Sequence, residues 1–80
     1  MFVNPNRSVL NPGDQVLISV GDEWLRTNPV WRISAGWISS DRGAYIQYTA
    51  PLGHGYVAVV VNATLYGQYG EGRVDFFIDG

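Results

Sequence analysis

Few side chains in this chain could do chemistry, and their spacing does not assemble a reaction. His54 is the single histidine, set between Gly53 and Gly55 with no sequence-adjacent partner. Asp22 and Glu23 could serve with a distant carboxylate as general acid and base, but neighbouring acids in a polar loop are ordinarily just solvated. Asp14, Asp22, Glu23, Asp41, Asp75 and Asp79 never fall into the D-x-D-x-D-G spacing of a calcium loop, which leaves open only calcium held between strand ends. There is no cysteine, so disulfides and cysteine-ligated zinc are excluded. Nothing resembles a nucleophile elbow or a phosphate loop. Asn62-Ala63-Thr64 fits a glycosylation sequon by chance, inside a strand-like run. The expectation is a protein that is not an enzyme, with no cofactor and no metal.

The elements that must carry any binding function are strands. No stretch keeps an i, i+3, i+4, i+7 apolar pattern, and Gly and Pro interrupt every longer run. "SVL" reads as a short edge strand, followed by a turn at Asn11-Pro12-Gly13-Asp14. In Gln15–Val20, Val16, Ile18 and Val20 alternate with Leu17 and Ser19, the period of a half-buried strand. After the polar loop "GDEWLRTNP", "VWRIS" places Trp31 and Ile33 on one face and Arg32 and Ser34 on the other. A short strand or bend at Trp37-Ile38 leads through "SDRG" to the strand "AYIQYTA", which Pro51 ends because it cannot donate to a ladder. "LGHG" then turns the chain into "YVAVVVNAT". "LYGQYGEG" reads as a long glycine-rich loop, and "RVDFFID" closes the domain. About seven short strands without room for crossover helices predict an antiparallel two-sheet β-sandwich filling residues 1–80 as one domain.

Composition sharpens this. At 80 residues the chain buries only about 60% of the surface its unfolded form exposes, so it needs a dense core or a neighbour. It is 46% hydrophobic and 14% aromatic, enough for that core. Charged residues make up 15%, against roughly 25% in an average domain, and none is lysine. One consequence is that part of the surface is expected to be covered by something else. The net charge of −2, the pI near 4.9 and five scattered arginines argue against nucleic-acid binding. No apolar run approaches the ~20 residues of a membrane span, and the N-terminus lacks the pattern of a signal peptide. The sequence therefore reads as made in the cytoplasm and not exported by that route, or as an excised piece of something larger.

The "PGD" turn feeding a V-x-I-x-V strand, the tryptophan strand "VWRISAGWIS", and "YTAP" followed by "GYVAVVV" together resemble the bacterial immunoglobulin-like modules of surface and adhesion proteins. The resemblance covers roughly Val9 to Ile78. It implies that Trp31 fills the centre of the sandwich and that Tyr56 is the tyrosine of the fold's corner. It implies little about function, since such sandwiches host unrelated tasks. Such modules usually stand in secreted tandem arrays, whereas this chain starts with Met and is expected to stand alone.

Two surfaces are expected to bind. If Tyr56 and Ala58 point inward with Val60, then Val57, Val59 and Val61 point outward. With Val74, Phe76 and Ile78 in the core, Phe77 joins those valines in an apolar patch suited to a protein interface. A shift of one residue would exchange the faces and put Tyr56, Ala58 and Val60 there instead. The second surface is a pair of loops at one end, carrying Trp24, Leu25 and Arg26, and Tyr66, Tyr69 and Glu71, residue types found in recognition surfaces. Folding back of Trp24 or Tyr66 to cap the sandwich is the plainer alternative.

The valine patch suggests an accessory or cement protein of a virus or phage particle, docking on neighbouring shell subunits and located in the virion. The aromatic loops suggest instead an adhesion module from a bacterial cell surface, reading carbohydrate or protein. Homo-oligomerisation stays open.

Overall fold

Turn chemistry and strand alternation account for most of what is seen in the computed structural model, which describes residues 3, 4 and 9–80. Ser8, where the expected edge strand begins, lies outside the described residues. Eight strands form among the described residues: β1 (Val3–Asn4), β2 (Val9–Leu10), β3 (Gln15–Val20), β4 (Val30–Ile33), β5 (Trp37–Ile38), β6 (Tyr45–Thr49), β7 (Gly55–Leu65) and β8 (Gln68–Ile78). The one helical piece among the described residues is a single 3₁₀ turn, Asp22–Trp24.

The strands make two four-stranded sheets, β1-β3-β6-β5 and β2-β8-β7-β4. The chain is thus an all-β two-sheet sandwich. The strand count agrees with the expected seven or so, with the N-terminal edge divided among the described residues, β1 joining one sheet and β2 the other. Every pair is antiparallel except β2–β8, which is parallel. The molecule is elongated, 41 × 18 × 18 Å.

The chain passes between sheets at the turns the sequence marked. Pro12 pre-sets the first turn and Gly13 takes the left-handed conformation (φ 80°) that its second corner needs. The Asp14 amide donates to the Asn11 carbonyl at 3.0 Å, and the Asn11 amide donates to an Asp14 carboxylate oxygen at 2.9 Å. At a later crossing, Pro51 to His54 carry the chain from β6 to β7.

Between the sheets, Ile18, Val20, Trp31, Ile46, Tyr48, Phe76 and Ile78 are buried. Trp31 turns inward from the edge strand β4, its indole N–H donating to the Gly43 carbonyl at 2.8 Å. Tyr48 stacks on Phe76 with centroids 5.6 Å apart, and its hydroxyl donates a hydrogen bond to the Ala35 carbonyl at 2.9 Å. Both amphipathic aromatics therefore bury their rings without orphaning a polar atom, the condition for keeping them in a core.

Two expectations fail, for one shared reason. "LYGQYGEG" is not a loop: β7 and β8 are eleven-residue strands joined only by Tyr66-Gly67, with Leu65 opposite Gln68. That two-residue turn fixes the register of the whole hairpin, placing Ala58 opposite Asp75 and Val60 opposite Arg73. Directly paired residues share a face, so burying Ala58 and Val60 would drag Asp75 and Arg73 into the core. The alternative wins. Val57, Val59 and Val61 face inward opposite Phe76, Val74 and Gly72, and all three valines are buried. Tyr56 accordingly points out, 82% exposed, and is not a corner tyrosine packed in the sandwich.

Candidate interaction faces

The outer surface of the second sheet is built from the positions that alternate with those valines. Val9, Phe77 and Tyr56 stand side by side across β2, β8 and β7. The rings of Tyr56 and Phe77 are 5.1 Å apart and tilted by 58°. Two residues further along β7, Ala58 lies beside Asp75; two further again, Val60 lies between Arg73 and Arg32. Arg73 and Asp75 form an exposed ion pair at 3.0 Å, of the kind that contributes little to stability. Of the four residues expected to form an interface, only Phe77 lies on this surface; Val57, Val59 and Val61 are core.

The hairpin tip and the 3₁₀ turn share an open concavity of about 650 Å³, lined by Asp22, Glu23, Leu25, Arg26, Leu65 and Tyr66. Trp24 does not belong to its lining. Its indole packs against Gly70, where a β-carbon would lie within 2.6 Å of Cζ2, and its N–H reaches the Glu23 carboxylate at 3.2 Å. The local cause is the 3₁₀ turn: the Trp24 amide donates to Gly21, and Thr27 bonds back to the Trp24 carbonyl, which swings the indole under the hairpin. Leu25 and Arg26 remain exposed. Tyr66 is 94% exposed and holds φ at 51°, a conformation rare for a bulky residue. Tyr69 lies on β8 rather than in a loop, and its hydroxyl donates to Glu71 at 3.0 Å. That bond raises the Tyr69 pKa above the usual phenol value.

A third surface escaped the sequence reading. On the outer face of the first sheet, three rows cross the strands: Ser19 beside Tyr45, Leu17 beside Gln47, and Gln15 beside Thr49 and Trp37. Leu17, Trp37 and Tyr45 are each more than half exposed. The Gln47 side-chain amide donates to the Gln15 carbonyl oxygen at 3.0 Å. Alternation within "QVLISV" and "AYIQYT" was enough to point Leu17 and Tyr45 outward. Collecting them with Trp37 needed the pairing of β5 with β6.

Among the described residues, no group of three His, Cys, Asp or Glu side chains is placed to hold a metal ion. His54 is exposed in its turn. Comparison with protein-family models, curated proteins and solved structures yields no match.

Proposed function

We propose that this is a non-catalytic interaction module of immunoglobulin-like fold, an accessory component of a virus or phage particle that docks on neighbouring shell subunits. The fold reading rests on strand order. One sheet runs β1-β3-β6-β5 and the other runs β8-β7-β4 with β2 added beside β8, the order of the two sheets of an immunoglobulin domain.

The observation that carries the docking role is the row Val9–Phe77–Tyr56, an apolar ridge across three strands that continues into Ala58 and Val60 with Arg32 and Arg73 beside it. Tyr and Arg are the residues that most often anchor protein interfaces. Along β7 this face is roughly 36 Å long and at most about 15 Å wide, about two-thirds of the ~800 Å² per partner of a standard interface. Many copies on one shell would add avidity. The alternative of recognition through the loops loses Trp24 to the core and Tyr69 to β8, and keeps Leu25, Arg26 and Tyr66.

The test is co-sedimentation of the purified chain with its particle. Tyr56→Asp, at an exposed position, abolishes attachment while the far-ultraviolet circular dichroism is unchanged. Undiminished attachment of this variant, or absence of the chain from purified particles, refutes the reading.

A further inference from the structure

We propose that the outer face of the first sheet is a binding surface for a neutral oligosaccharide. The face lies on the opposite side of the sandwich from Tyr56 and stands independently of the docking role.

Three features combine there. No outward-facing residue described on β3, β5 or β6 carries a charge, so these strands offer no ion pair to a charged ligand and no charge to desolvate when an uncharged one binds. Trp37 and Tyr45 expose large aromatic surface with no aromatic partner among the described residues, and aromatic rings attract the weakly positive C–H faces of sugar rings through their negative π-faces. Between them stands the Gln47–Gln15 pair. Its mutual bond uses one N–H and one oxygen lone pair and orients both amides, which leaves further donors and acceptors for ligand hydroxyls.

Spacing sets the size of the ligand. Trp37 pairs with Thr49, four residues along β6 from Tyr45, so the two aromatics are separated by about 13 Å along the strands and about 4.8 Å across them. That span exceeds one sugar ring and suits a chain of several, with Gln47 beneath its middle and Leu17 and Gln15 alongside on β3. Size also argues against a protein occupant. With β6 only five residues long, the face measures roughly 17 × 15 Å, far below the ~800 Å² a protein partner normally buries.

The experiment is native affinity electrophoresis through gels containing soluble β-glucan, xyloglucan, galactomannan or dextran. At least one polysaccharide retards the protein, equally at low and high salt. Trp37→Ala weakens that retardation roughly thirtyfold, the scale of losing one aromatic anchor. Tyr66→Ala, at the hairpin tip, leaves it unchanged. Circular dichroism confirms that both exposed-site variants fold. The proposal is overturned by absence of retardation in all four gels, or by retardation that survives Trp37→Ala. Self-association that Trp37→Ala abolishes would also overturn it, by making the face a contact between copies of the chain.

Discussion

The indole of Trp24 occupies the space that a side chain at position 70 would need. Gly70 is therefore the residue that lets the 3₁₀ turn close against the β7–β8 hairpin. A β-carbon there would come within 2.6 Å of Cζ2 and 3.1 Å of Cζ3 of the indole. Gly70→Ala is expected to lower stability by about 1–3 kcal/mol, the usual cost of overpacking, and to shift part of the tryptophan fluorescence to the red as Trp24 is displaced. Gly53→Ala is the control. It meets nothing within 4 Å and should leave the denaturant midpoint unchanged or slightly raised.

The inward phase of β7 is tested by two adjacent substitutions. Val59 is fully buried, so Val59→Asp places an unpaired carboxylate between the sheets and should abolish folding in a domain this small. Val60 is half-buried on the outer face between Arg73 and Arg32, so Val60→Asp should fold with a loss below about 1 kcal/mol. Circular dichroism and urea unfolding decide between them. Equal damage from the two would refute the register.

The hairpin turn holds both central residues at positive φ, Tyr66 at 51° and Gly67 at 78°, as a type I′ turn requires. Tyrosine is poorly suited to that position and asparagine well suited. Tyr66→Asn should therefore raise stability by about 0.5–1 kcal/mol, read as a higher urea midpoint at constant m-value. An unchanged or lower midpoint would count against the turn assignment.

Burial raises the Tyr48 pKa above the ordinary phenol value of 10.0. The sign follows from proton linkage. Above pH 10 the unfolded chain loses this proton first while the folded chain retains it, so the contribution is complete below pH 10 and is lost as pH rises through the folded pKa. Urea midpoints measured from neutral to strongly alkaline pH should fall steeply beyond 10. Tyr48→Phe should lose about 1 kcal/mol at neutral pH, from the bond to the Ala35 carbonyl, and show a shallower alkaline decline.

The amino-acid sequence by itself determined the fold class and most strand positions of this protein. Pro12-Gly13 and Pro51 could only be turns, and the alternations around Ile18, Trp31 and Phe76 assigned their inward faces without reference to any partner strand. β7 was different, because Tyr56, Ala58 and Val60 are as apolar as Val57, Val59 and Val61, and a strand apolar on both faces does not state its own phase. Only pairing decides it. The Tyr66-Gly67 turn sets Ala58 against Asp75 and Val60 against Arg73, and two charges that must stay in water turn three valines inward. Tertiary structure alone also decided which aromatics are available. Trp24 looked like a loop residue until Gly70 gave it a place to pack. Trp37 and Tyr45 looked unrelated until β5 paired with β6 and put them on one uncharged face. Local pattern fixes where strands run, whereas the faces that bind depend on register, which is set by contacts far apart in the chain.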